Sequence, residues 1–137
     1  MTARANPIQA GDALPPIKIT LTATGVVATA LATRDFQPVH HDVERAHSLG
    51  NAGILLNTHA TAGYLERLVM TWAGPGAFLK SVRFRLGVPS YAGDTLLLQG
   101  IVTTPPDAAG LVEIAVTGTN SLGTHVEGSV VVGLATA

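Results

Sequence analysis

The 137-residue chain contains no cysteine. That absence removes disulfides, thiolate nucleophiles and cysteine-held zinc or iron–sulfur centres together, and it is compatible with a reducing cytoplasm. Charge is scarce as well. Only 12% of residues are charged against 47% apolar, and the formal net charge is −1. A sequence-independent nucleic-acid binder needs a strong basic excess, so that class is excluded. Mean hydropathy is positive, and such a chain carries more apolar surface than one small globule hides. Burial against a partner subunit is therefore expected. Long apolar runs are lacking too: the longest, Val130 to Ala135, is broken by Gly133 and is far too short to span a bilayer. The opening residues, MTARANPIQAGDALPP, show no continuous apolar core of a signal peptide, so a soluble cytoplasmic protein is the default expectation.

What is present fits one ordinary domain, long enough to bury a core without metal or disulfide staples. Residues 1–16 are rich in Ala, Gly and Pro and have no period; they read as a mobile lead-in ending at Pro15-Pro16, before a single domain over 17–137. From Ile17 apolar and polar residues alternate, the pattern of a half-buried strand. Gly25 permits a bend before a second short segment, Val26 to Leu31. Residues 33–52 are polar and read as a loop with a short helix near Val43 to Ser48. A long helix is predicted from Gly53 to Trp72, with Ile54, Thr58, Ala62, Leu65, Leu68 or Val69, and Trp72 as its buried stripe. Gly74-Pro75-Gly76 ends it. Strands follow over Ser81–Leu86, Thr95–Thr103, Leu111–Thr119 and His125–Leu134, the last two joined by a hairpin turn at Asn120-Ser121-Leu122-Gly123. One helix with a run of antiparallel strands predicts an α+β domain whose sheet wraps the helix and whose open edges invite dimerisation.

Chemistry concentrates in Thr33-Arg34-Asp35-Phe36-Gln37-Pro38-Val39-His40-His41-Asp42. Pro38 fixes its own φ and disfavours helix at Gln37, so a rigid turn can aim the Asp35 carboxylate and the His40 ring at one point. An imidazole beside a carboxylate can take and return a proton near neutral pH. By spacing alone, such a pair is more often a structural hydrogen bond than a catalytic one. Adjacent His40-His41 invites a metal reading, but without cysteine or a helical His-x-x-x-His no metal site is expected. His59 and His125 read as surface or packing residues, Arg83 and Arg85 as a solvated strand face with a contact to a ligand phosphate as the alternative, and Trp72 as an anchor for the helix end.

The segment Asp35-Phe36-Gln37-Pro38-Val39-His40, with Ala46 six residues on, resembles the hydratase signature of the MaoC-like, or (R)-specific enoyl-CoA hydratase, family, Asp-x-Asn-Pro-x-His followed by five residues and Ala or Ser. Ser81-Val82-Arg83-Phe84, Pro89 and Gly93-Asp94-Thr95-Leu96 resemble that family's later strand and turn. The blocks Ala30–Gln37, Val39–Asp42, Thr71–Pro75 and Arg85–Pro89 are similar to the small catalytic subunit of the actinobacterial heteromeric hydratases of steroid (cholesterol) side-chain degradation. Together the likeness covers residues 17–134.

The resemblance implies a hot-dog fold, a long helix wrapped by an antiparallel sheet. It implies hydration of a trans-2-enoyl-CoA to a 3-hydroxyacyl-CoA, with Asp35 and His40 holding and deprotonating the water. The substrate would be an enoyl-CoA thioester, with no cofactor beyond the CoA that carries the acyl group. The partner would be a second MaoC-like subunit, linked in some members to a DUF35 module. The enolate forming on the thioester oxygen needs donors; Gly53, at the predicted helix start, and Asn57 are the candidates. Departures exist: Gln37 stands for the usual Asn, Ala62-Gly63 stands where Ser-Gly occurs, and Gly53 matches the family glycine only with a one-residue shift. Two alternatives stay open: a 3-hydroxyacyl-ACP dehydratase subunit, which uses the same pair, and a non-catalytic hot-dog partner.

Overall fold

A computed structural model describes residues 7–135. Its elements run β1 (Ile17–Thr20), α1 (Ala23–Ala32), a 3-10 turn (Pro38–His40), α2 (Val43–Ser48), α3 (Thr58–Ala73), β2 (Phe78–Leu86), β3 (Thr95–Thr104), β4 (Leu111–Asn120) and β5 (Gly123–Gly133). The strands form one five-stranded sheet in the order β1-β3-β4-β5-β2, and every pairing is antiparallel.

Alternation along the strands sends one set of side chains inward. Leu96, Leu98 and Val102 of β3, Val112, Ile114 and Val116 of β4, and Val126, Val130 and Val132 of β5 are buried. They meet Leu65, Leu68 and Val69 of α3, which are equally buried. Each such side chain contributes about 1.5–3 kcal/mol on leaving water. The result is a long helix against the inner face of a sheet, as the resemblance implied.

Three boundaries before β2 differ from expectation. The first strand stops at Thr20, and Val26 to Leu31 belongs to a helix, α1, rather than to a short segment after a bend. Thr22 caps it by accepting from the Gly25 N–H at 2.9 Å, and its buried residues are Val26 and Ala30, one turn apart. The long helix begins at Thr58, not Gly53, because residues 54–56 are extended. Leu55 N–H donates to the Val39 carbonyl at 3.1 Å and Leu56 N–H to the Ser90 carbonyl at 2.9 Å. The buried face of α3 turns accordingly, to Ala60 and Thr61 in place of Thr58 and Ala62.

Of the lead-in expected over residues 1–16, residues 1–6 lie outside the described residues. Residues 11–14 run beside β3: Gly11 N–H donates to the Val102 carbonyl at 2.8 Å, and Leu14 N–H to the Gly100 carbonyl at 2.9 Å. Leu14 is 3% exposed and sits in the core. No helix among the described residues is long and apolar enough to cross a membrane.

Candidate active site

Asp35 is placed by the way α1 ends. Arg34 adopts a left-handed φ of 57°. Its N–H donates to the Leu31 carbonyl at 3.0 Å, and the Asp35 N–H reaches back to the Ala30 carbonyl at 2.9 Å. These two bonds make a Schellman cap, with a non-glycine residue in the position that usually favours glycine. Asp35 then accepts the Gln37 N–H through Oδ1 at 3.3 Å, an Asx turn that aims the chain into Pro38. Pro38 opens the 3-10 turn, where its missing N–H costs nothing, and that turn delivers His40.

The two side chains meet. His40 Nε2 lies 3.3 Å from Asp35 Oδ2, with the side chains 9% and 23% exposed. On its other side, His40 Nδ1 lies 2.7 Å from the Leu55 carbonyl oxygen. A carbonyl only accepts, so Nδ1 carries the hydrogen and the neutral ring presents its Nε2 lone pair to Asp35.

Asn57 closes the constellation from α3. It is 1% exposed. Its Oδ1 caps the helix by accepting from Ala60 N–H at 3.1 Å, and its Nδ2 donates to Thr33 Oγ1 at 2.8 Å and to Asp35 Oδ2 at 3.1 Å. Burial raises the Asp35 carboxyl pKa, but the bonds from Asn57 and Gln37, with the positive potentials of His40 and His59, outweigh it and hold the group below its ordinary 3.8.

Asp35 and His40 thus come together as expected, while Gly53 and Asn57 stand in other surroundings than the sequence suggests. Gly53 does not open the long helix. It lies in the bend before Leu55, five residues ahead of the first helical residue, so the helix dipole it was expected to carry belongs to Thr58 and its neighbours. Asn57 is the cap, and both of its amide hydrogens are already directed at Thr33 and Asp35; they are not free for a thioester oxygen.

Two participants had no mark in the sequence. The Leu55 carbonyl is backbone, and any residue there would supply it. Thr33 could have been noticed only as a hydroxyl two residues from Asp35. Elsewhere, His125 is a packing residue: it is 2% exposed, with Nε2 2.9 Å from Thr61 Oγ1 and Nδ1 2.7 Å from the Val88 carbonyl. Burial depresses its pKa below 6.5, against a smaller rise from Val88. His59 is exposed, and Trp72 is half-buried against the core. Arg83 and Arg85 are exposed on β2, and Arg85 Nε donates to Glu127 across the strands at 2.7 Å.

An imidazole of fixed tautomer beside a carboxylate, on a turn between two helix ends, has the chemistry to take and return a proton near neutral pH. The comparisons supply the class. The family model of the MaoC like domain matches residues 6–125, and the chain belongs to the MaoC-like family. It is 47% identical over 120 residues to the 3-oxo-4,17-pregnadiene-20-carboxyl-CoA hydratase beta subunit of Mycobacterium tuberculosis, covering 88% of this chain and 92% of that protein. It superposes with a TM-score of 0.88 on a chain of the ChsH1-ChsH2 complex from Mycobacterium tuberculosis, at 43% identity over 98% of this chain and 99% of that one. The (R)-hydratase from A. caviae involved in PHA biosynthesis matches with a TM-score of 0.86 at 20% identity, covering 96% of this chain and 99% of that one; that likeness shows the fold alone. The fold is the hot dog.

Proposed function

We propose that this chain is the subunit bearing the acid–base pair of a heteromeric enoyl-CoA hydratase, which adds water across a trans-2-enoyl-CoA carrying a steroid side-chain acyl group. The observation that carries the reading is the 3.3 Å approach of Asp35 Oδ2 to His40 Nε2, with the ring held by Leu55. Both facing atoms are acceptors when His40 is neutral and Asp35 ionised, and a water molecule has two hydrogens to give them. The water oxygen attacks Cβ of the enoyl thioester while the pair takes one proton. The electron pair of the double bond shifts toward the thioester oxygen, and a proton returned from the pair to Cα completes the 3-hydroxyacyl-CoA. Positioned acid–base groups of this kind supply on the order of 10²- to 10⁴-fold in rate. No cofactor enters, because the thioester itself activates the double bond.

The steroid assignment rests on the 47% identity to the named hydratase subunit. Exposed Leu31 and Phe36, 54% and 60% accessible, flank Asp35 in sequence and suit a bulky apolar acyl group. The partner is a second MaoC-like subunit, of the kind that in some members of the group this chain resembles is linked to a DUF35 module. An edge is open to it: β2 is hydrogen-bonded on one side only, to β5, and carries exposed Phe78 and Leu86. Unpaired edges of this kind are templates for association.

The test is to purify the chain with such a partner and follow the enoyl-thioester absorbance on steroid side-chain enoyl-CoA and on the matching acyl-ACP. Loss of absorbance with the CoA thioester is expected. No turnover on CoA with turnover on ACP would contradict the reading and favour a dehydratase.

A further inference from the structure

Asn57 does more than cap a helix. A cap needs one oxygen, and Ser, Thr or Asp would provide it. Only Asn adds two amide donors at the same reach, and here both are committed, to Thr33 Oγ1 at 2.8 Å and Asp35 Oδ2 at 3.1 Å. Thr33 fixes that choice. Its hydroxyl hydrogen goes to the Thr29 carbonyl at 2.7 Å or the Ala30 carbonyl at 3.2 Å, so toward Asn57 its oxygen can only accept. Ala60 N–H, a donor, meets the other end of the amide at 3.1 Å. The amide therefore has one orientation, nitrogen toward Asp35.

The consequence falls on the carboxylate. Gln37 N–H holds Oδ1 at 3.3 Å, and Asn57 takes one lone pair of Oδ2. What remains of Oδ2 faces His40 Nε2. We propose that Asn57 is a positioning residue for the Asp35 carboxylate, with Thr33 as its anchor, fixing the rotation that turns Oδ2 to His40 so that both can hold one substrate water.

This role rests on the hydratase reading. It ties the turn that follows α1, which carries Asp35, to the N-cap of α3. The titratable groups facing Asp35 are His40 from the 3-10 turn and His59 from the first turn of α3. Neither can replace the amide, because neither fixes the carboxylate plane.

Asn57→Asp separates positioning from capping. It keeps an N-cap acceptor for Ala60, removes both donors and sets a second carboxylate against Asp35. In the complex with the partner subunit, and with steroid side-chain enoyl-CoA as substrate, kcat is expected to fall on the order of 10²-fold with KM little changed. The acid limb of the kcat–pH profile should move to higher pH, because losing the Asn57 hydrogen bond that lowers the Asp35 pKa disfavours its ionisation, and in Asn57→Asp a like charge adds to this. Thr33→Val, which removes only the anchor, should lower kcat in the same direction. If Asn57→Asp does not assemble, Asn57→Ser and Thr33→Val decide by the same kcat, KM and pH criteria. Wild-type kcat and an unmoved acid limb, in variants tested beside an inactive Asp35→Asn, would overturn the positioning role alone. Wild-type turnover by Asp35→Asn would overturn the hydratase reading, and this role with it.

Discussion

His40 gives its Nδ1 hydrogen to the Leu55 carbonyl, 2.7 Å away, and this bond decides which nitrogen meets Asp35. A ring free to flip would present either a donor or an acceptor to the carboxylate. Here the neutral ring presents only an acceptor, which is what a shared water requires. Two-bond ¹⁵N–¹H correlation spectra at neutral to alkaline pH are expected to show neutral His40 as the Nδ1–H tautomer. A dominant Nε2–H form would contradict the arrangement.

His125 is expected to make stability fall with acid. Its folded pKa is depressed by burial, and its Nε2 faces the Thr61 hydroxyl. The unfolded chain therefore binds a proton below pH 6.5 that the folded chain refuses. The stabilisation is fully present above 6.5 and is lost as pH falls below it toward the folded value. Melting temperatures measured from pH 7.5 downward should drop more steeply in the wild type than in His125→Gln. Equal slopes would show that another group dominates.

Two glycines on β5 look alike in sequence and should respond differently to the same change. A Cβ on Gly128 would strike the Arg83 carbonyl and the Phe84 backbone, which cannot move without separating β2 from β5. The nearest atoms a Cβ on Gly133 would strike belong to the Phe78 ring, and that residue is 52% exposed and can swing away. Gly128→Ala is expected to cost about 1–3 kcal/mol, the usual range for overpacking, and Gly133→Ala clearly less. Urea denaturation of the two variants checks the order; equal losses would contradict it.

The sheet is legible because four of its strands are long, burial alternates along β3 and β4, and turns are marked by Pro105-Pro106-Asp107 and Asn120 to Gly123. The short helix at Val43–Ser48 was placed correctly, since polar loop residues and Asp42 announce its cap. The first helix is not legible in the sequence. Ala23 to Ala32 holds four alanines, but its two Thr and two Val favour strands locally, Gly25 suggests a bend, and only Val26 and Ala30 mark its buried side. Its signal was Thr22, a cap residue three positions before Gly25. The start of the long helix was set too early because Ile54, Leu55 and Leu56 continue its apolar run, although Asn57 is itself a preferred cap. Within the site, the Asp35 and His40 pairing followed from the Pro38 turn and the family-like spacing. The partners that orient the pair did not follow, because one is a backbone carbonyl and the other two, Thr33 and Asn57, lie 24 residues apart and meet only when two helix ends converge.

The central claim is that Asp35 and His40 together move the protons of hydration. Its most direct test is the rate of enoyl-thioester absorbance loss by Asp35→Asn and by His40→Ala, each purified in complex with the partner subunit. Both variants are expected to assemble and to lose activity by on the order of 10²-fold or more. Wild-type rates in either one would contradict the account.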